Sequence, residues 1–297
     1  MAIHARDLVK KYKDFTAVAG LSFDVRRGEC FGFLGPNGAG KTTTMKMIYG
    51  SCSVTEGSLT VMGLDVRSDL RAVKTKLGVV AQEDNLDFEL SVVENLLVFA
   101  RYFGIPRRQA RERADELLSF FDLTEKCDSK VEHLSGGMKR RLITARSLIG
   151  KPELLILDEP TTGLDPAARH LLWEKMRRLK RDGVTQVLTT HYMDEAERLC
   201  DRLVLMDHGK IVAEGTPAEL IQAHVGKEVV EVATSEVDRM AAAIGGTKLP
   251  DMVVCYTDDG DGVIHKARST GIAFESARLR RASLEDVFLK VTGRRLE

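Results

Sequence analysis

Gly35-Pro36-Asn37-Gly38-Ala39-Gly40-Lys41-Thr42 meets the pattern GxxxxGK[ST] at every defined position, and nothing else in the 297 residues restricts the chain as much. The run Cys30-Phe31-Gly32-Phe33-Leu34 before it is short and apolar throughout, as suits a strand buried on both faces. Thr43 to Tyr49, after it, is helix-like. In that setting the glycines allow backbone angles that turn successive N–H groups inward, and the helix directs its positive end at the same point. A polyphosphate held by many fixed donors is the expected ligand. Lys41 would reach its outer phosphates, and Thr42 would offer a hydroxyl to Mg²⁺, which keeps mostly water and phosphate oxygen as ligands.

Leu154-Leu155-Ile156-Leu157-Asp158-Glu159 is the partner such a loop needs, an apolar strand delivering two carboxylates at its end. The two acids should differ in role. Asp158 would hold Mg²⁺ directly or through water, and Glu159 would face the attacking water as general base or water-positioner.

The rest of the chain has an α/β rhythm. Ile3 to Val9 and Leu21 to Val25 alternate apolar and polar residues as strands, with Arg27-Gly28-Glu29 as a turn. Val187 to Thr190 and Leu203 to Met206 are further short apolar runs, separated by helical patterns such as His170 to Arg181, which predicts a largely parallel sheet. Between about 83 and 150 only helical periodicity appears, in Val92 to Phe103, Gln109 to Phe121 and Gly136 to Ile149. A helical insert is expected there. Composition shifts near Val225, so the expected domains are 1–224 and an α/β appendix over 225–297. That appendix should have strands at Val229 to Ala233 and Val253 to Tyr256, an exposed turn at Asp258 to Gly262, and a closing helix from Leu284 capped by Ser283.

Lys plus Arg total 44, as do Asp plus Glu, so no global field draws nucleic acid or anionic lipid. No run approaches the roughly 18 apolar residues of a spanning helix, and Met1 to Tyr12 lacks the core of a signal peptide. A cytoplasmic location is the expectation. The five cysteines are scattered, without CxxC pairs, so neither structural zinc nor disulfides are expected.

A phosphate loop with an acidic strand says only that nucleoside triphosphates are handled. Leu134-Ser135-Gly136-Gly137-Met138 narrows the class: Ser135 can cap the next helix while Gly136 and Gly137 leave its first N–H groups bare, a second anion site far in sequence from Lys41. Alone, this would be an ordinary cap. Together, the set resembles the ATP-binding cassette of ABC transporters over about residues 3 to 220, in which this loop is the signature motif.

The resemblance implies a P-loop cassette with an antiparallel β subdomain, binding ATP and Mg²⁺ and hydrolysing ATP. It also implies Tyr12 stacking on adenine; Gly35, Pro36, Asn37, Gly38, Ala39, Gly40, Lys41, Thr42 and Thr43 on the phosphates; and Ser135, Gly136, Gly137 and Asp165 at the nucleotide across a homodimer. Glu159, His191 and Gln82 would be catalytic, and Thr42, Gln82 and Asp158 would serve the metal. Each lone residue has a plainer reading: Tyr12 a packed strand aromatic, Gln82 surface filler, Asp165 a turn residue before Pro166, His191 a hydrogen-bonded loop residue.

Asn85-Leu86-Asp87, Glu94 to Phe99, Arg101 to Gly104, Gly136 to Arg141 and Leu284 to Leu289 resemble exporters of the nodulation type, which secrete lipo-oligosaccharides, and of the daunorubicin-resistance type. In such exporters the multi-spanning permease is a separate chain, which implies a cassette peripheral on the inner face of the membrane, with the permease docking after Gln82. No nucleic acid is expected. The rival readings are a soluble ABC-type ATPase acting on ribosome or DNA, and a nucleotide-sensing subunit without turnover.

Overall fold

β1 (Ile3–Tyr12) and β2 (Phe15–Val25) pair antiparallel from Ile3 opposite Val25 to Tyr12 opposite Phe15, joined by a tight turn in which Lys13 takes φ 50°. This computed structural model describes residues 1–83 and 85–293. β3 (Cys30–Leu34) is buried at every residue, and α1 (Lys41–Ile48) follows it directly after the glycine-rich loop. β4 (Glu56–Val61) and β5 (Leu64–Asp65) then complete a four-stranded sheet of order β2-β1-β4-β5, the expected antiparallel subdomain.

After α2 (Leu70–Thr75) and β6 (Leu77–Val80) come the three helices of the insert: α3 (Val92–Tyr102), α4 (Arg107–Phe120) and α5 (Gly136–Ser147). α3 begins where expected because Ser91 and Glu94 form a reciprocal capping box, satisfying two N–H groups that the helix cannot. β7 (Leu154–Asp158), α6 (Pro166–Arg181), β8 (Thr185–Thr190), α7 (Met193–Leu199), β9 (Arg202–Asp207) and β10 (Lys210–Gly215) restore the α/β alternation.

These strands form a six-stranded sheet of order β10-β9-β3-β8-β7-β6, in which β9/β3, β3/β8, β8/β7 and β7/β6 run parallel. Its central strands β3, β7 and β8 are buried throughout, which explains why β3 and Leu154 to Leu157 of β7 read as unbroken apolar runs rather than alternating ones. Phe23 of the antiparallel sheet meets Phe33 edge-on at 5.0 Å, and Phe33 meets Phe31 at 5.4 Å. Burying each such ring stabilises the fold by about 1.5–3 kcal/mol. The glycine-rich loop therefore springs from a strand packed on the aromatic core.

The chain divides at Glu214/Gly215 rather than at 224/225, because α8 (Pro217–His224) packs on the final helix of the second unit. That unit runs β11 (Glu228–Ala233), α9 (Val237–Ile244), β12 (Thr247–Lys248), β13 (Met252–Thr257), α10 (Gly260–Ser269), β14 (Ser276–Arg281) and α11 (Leu284–Thr292). The βαββαβ order and the sheet order β12-β13-β11-β14 make it a split βαβ unit. The expected turn at Asp258 to Gly262 is corrected: Asp259 accepts from the Gly262 N–H at 3.0 Å, Gly260 N–H donates to Glu228 at 2.8 Å, and α10 starts there. Two glycines and three acids read as a turn, but an aspartate before bare N–H groups is also a helix cap. The last four residues of the 225–297 appendix lie outside the described residues.

Candidate ATP site

The octet wraps the end of β3. Gly38 and Gly40 take φ of 83° and 99°, values that L side chains rarely adopt. At Gly40 a Cβ would also sit 2.6 Å from the Ala17 carbonyl oxygen, whereas at Gly38 it would meet nothing within 4 Å. The loop is pinned from outside: Gly209 N–H donates to Ala39 O at 3.1 Å, and Ala19 N–H to Gly209 O at 2.9 Å. The first N–H groups of α1 have no intrahelical partner, so they are left for a ligand.

Lys41 is buried, its Nζ donating to Gly35 O (2.7 Å) and Pro36 O (3.1 Å) and lying 3.4 Å from Glu159 Oε1. Burial pulls the Lys41 ammonium below its usual pKa, opposed by Glu159 and Asp158. Thr42 Oγ1 donates to Asp158 Oδ1 at 3.1 Å, and Thr189 Oγ1 to the same oxygen at 2.5 Å. Burial raises Asp158 despite those two hydrogen bonds, so a cation would lower the cost of its charge. Thr42 and Asp158 thus form a pair of hard oxygen donors at the cleft, a set that fits Mg²⁺.

Glu159 stands at the end of β7 with φ 48°, a conformation costing a non-glycine residue about 1–3 kcal/mol that surrounding contacts must hold. Its N–H donates to Thr189 O (3.1 Å) and Thr189 Oγ1 (3.0 Å), and its Oε2 accepts from Thr162 Oγ1 at 3.2 Å. His191 follows β8, its Nδ1 3.3 Å from Glu159 Oε2. Nδ1 is buried and makes no hydrogen bond within the protein. The pair is therefore in contact without being locked.

An open cleft of about 240 Å³ over the loop is lined by Asn37 to Thr43, Gln82 and Glu159, together with Phe15 and Ala17 of β2. A cleft of about 310 Å³ beside α4 and Ile149 to Lys151 is larger but holds none of these groups, so chemistry rather than size picks the site. Tyr12, half-exposed at the end of β1 with Lys10 Nζ 4.8 Å over its ring, is not among the lining residues; Phe15 is. Ser135 caps α5 by accepting from Met138 N–H at 3.3 Å, and Asp165 caps α6 by accepting from Ala168 N–H at 2.9 Å. Neither these two nor Gly136 and Gly137 line the cleft.

Residues 18–162 match the protein family described as ABC transporter. The Nod factor export ATP-binding protein I of Burkholderia thailandensis is 48% identical over 300 residues, covering 99% of this chain and 98% of that protein. The chain belongs to the ABC transporter family. The protein of the same name from Neorhizobium galegae is 48% identical, covering 100% of this chain and 86% of its own length. Among solved structures, the dimeric ATP-binding cassette MJ0796, in a post-hydrolysis state bound to ADP and Pi, matches with a TM-score of 0.67 at 25% identity, covering 72% of this chain and 98% of that one.

The chain is thus an ATP-binding and ATP-hydrolysing ABC subunit, and no helix among the described residues is long and apolar enough to cross a membrane. Its ABC cassette contains groups that the sequence reading did not single out: Thr189, which organises both acids, Phe15 and Ala17 on the cleft wall, and Arg140 behind it. Strand threonines and a second basic residue in a helix carry no local signal. Only the parallel pairing of Asp158 with Thr189 reveals the first.

Proposed function

We propose that the chain powers export through a separate multi-spanning permease, as one half of a homodimer that closes on two ATP molecules and their Mg²⁺ at the inner face of the membrane. The observation that carries this reading is the divided site: the phosphate loop, Gln82 and Glu159 share one cleft, while Ser135, Gly136, Gly137 and Asp165 stand outside it. The bare helix N-terminus at Gly136 is then an anion site for nucleotide held by another copy. The dimeric state of the MJ0796 cassette supports the pairing. The relatives' name, Nod factor export ATP-binding protein, supports export; lipo-oligosaccharide and hydrophobic drug are the two alternative cargoes.

Within one site, backbone N–H groups from Asn37 to Thr43 and the Lys41 ammonium hold the β- and γ-phosphates, and Tyr12, at the end of β1 outside the cleft lining, stacks on adenine. Thr42, Asp158 and Gln82 hold Mg²⁺, which when bound neutralises charge developing on the phosphates. Glu159 orients the attacking water and takes its proton; His191 steadies the γ-phosphate beside it. A base in that role contributes about 10²–10⁴-fold to the rate. ATP shared between copies favours the closed dimer, and full switching from 1:99 to 99:1 needs about 5.5 kcal/mol of differential binding. Hydrolysis removes the shared γ-phosphate and lets the copies part.

Glu159→Gln tests the scheme. It should retain ATP binding, accumulate a closed dimer on size-exclusion chromatography with ATP and magnesium, and lose turnover. An unchanged ATPase rate refutes the role given to Glu159. Recovery of the chain from membranes with a multi-spanning partner supports the exporter reading, whereas recovery with ribosomes or DNA would replace it with the soluble alternative.

A further inference from the structure

We propose that Arg140 is a positioning residue for hydrolysis, setting Glu159 and tying it both to the Gln82 loop and to the helix that carries Ser135, Gly136 and Gly137. The inference rests on the role proposed for Glu159.

Arg140 lies in the second turn of α5 and is 6% exposed. Its guanidinium reaches four carbonyl oxygens from two separate segments. Nε donates to Pro160 O at 2.7 Å, Nη2 to Asp158 O at 3.0 Å and Glu159 O at 2.9 Å, and Nη1 to Ala81 O at 2.7 Å. Three consecutive carbonyls at the end of β7 thus converge on one side chain, together with the carbonyl that immediately precedes Gln82. Only a planar fork with five fixed N–H donors can serve such a set; an ammonium is a point donor on a flexible stem.

The geometry matters because of the backbone at Glu159. Its left-handed φ of 48° persists only if both sides of the residue are held. Thr189 holds the N–H side and Arg140 the carbonyl side. Release of either contact lets the residue relax toward an ordinary conformation and swings its carboxylate. A displacement of about 1 Å at a reacting group can cost about 10²-fold in rate without touching substrate affinity.

The same helix also anchors the far end of the Gln82 loop. Arg146 of α5 donates Nη1 to Asn85 O at 2.8 Å and Nη2 to the Asn85 side chain. The two arginines therefore hold the loop at Ala81 and at Asn85. A shift of α5, whether started at its N-terminus by nucleotide or at the Gln82 loop by the permease, reaches Glu159 through Arg140. No sequence reading of the signature motif predicts that link, because it depends on α5 lying behind the end of β7.

The test measures turnover, ATP affinity and urea unfolding of the full chain in four forms: wild type, Arg140→Lys, Glu159→Gln and the double variant. Arg140→Lys should lower kcat about 10–100-fold, with KM and directly titrated ATP affinity within about 3-fold of wild type. In the Glu159→Gln background the same change should lower residual turnover by less than about 2-fold, because residues that act as a unit are not additive. Arg140→Gln, which removes the buried charge and keeps a two-donor amide, provides a second variant should the lysine form unfold, and the same split is expected of it. Equal losses in both backgrounds, loss of affinity in step with rate, or wild-type turnover overturns the proposal while leaving Glu159 its role. Wild-type turnover by Glu159→Gln alone removes that role and this inference with it.

Discussion

Trp173 Nε1 donates to Glu195 Oε1 across 2.8 Å, and Thr161 Oγ1 donates to the same oxygen at 2.7 Å, where the carboxyl is fully shielded from solvent. α6, α7 and the segment just after Glu159 thus meet at one acid. Burial raises its pKa, against hydrogen bonds from Thr190, Thr161 and Trp173. Since the folded-state pKa lies above the unfolded one, Glu195 contributes stability below the ordinary carboxylate range and loses it as pH rises through the folded value. Glu195→Gln keeps the acceptor without the charge. It should melt within about 1 kcal/mol of wild type at neutral pH and flatten the pH dependence, whereas Glu195→Ala, leaving two buried donors unpaired, should lose about 2–4 kcal/mol. Urea unfolding across pH decides; a glutamine variant as damaged as the alanine one contradicts the shared-acceptor account.

Lys41→Ala removes the only side-chain cation lining the cleft among the described residues. Charge-assisted hydrogen bonds to phosphate are worth about 1.5–3 kcal/mol, so ATP affinity should weaken about 10–100-fold by direct titration. Wild-type affinity would mean that the phosphates sit elsewhere.

Gly38 and Gly40 separate backbone strain from crowding. Gly38→Ala faces open space and should cost only the left-handed penalty of about 1–2 kcal/mol. Gly40→Ala adds a clash with the Ala17 carbonyl, worth about 1–3 kcal/mol more. Thermal melts of the two ligand-free variants should therefore rank Gly40→Ala well below Gly38→Ala, and equal melting points would contradict the steric account.

In the second unit, Arg280 donates to both oxygens of Asp286 at 2.7 Å, and Asp286 also completes the cap of α11 at Ser283. Burial alone would raise Asp286, but the Arg280 and Ser283 hydrogen bonds prevail and hold it below the usual carboxylate range. Its contribution is present above the unfolded pKa of about 3.9 and is lost as pH falls through the lower folded value. Asp286→Asn should destabilise the unit by about 2–3 kcal/mol near neutrality and shrink its acid sensitivity below pH 4. Circular dichroism during acid titration of both forms is the check; identical acid transitions speak against the pair.

Local chemistry was legible in the order of residues. GxxxxGK[ST] between an apolar strand and a helix, Asp158-Glu159 at a strand end, and Ser135 and Ser283 as caps all depend on neighbours within a few positions, so their geometry follows from backbone sterics and hydrogen bonding alone. The antiparallel sheet and helical insert followed from periodicity and from the cassette resemblance. Contacts between distant segments were decided by tertiary structure. Arg140 on Glu159, Thr189 on Asp158, Trp173 on Glu195 and α8 against α11 join groups whose approach is set by strand order and helix packing. Asp258 to Gly262 shows the limit: glycines and aspartates satisfy both a turn and a helix start, and beside the local acceptance of Gly262 N–H by Asp259 the choice fell to Glu228, whose carboxylate accepts the bare Gly260 N–H only once the sheet of the second unit is assembled.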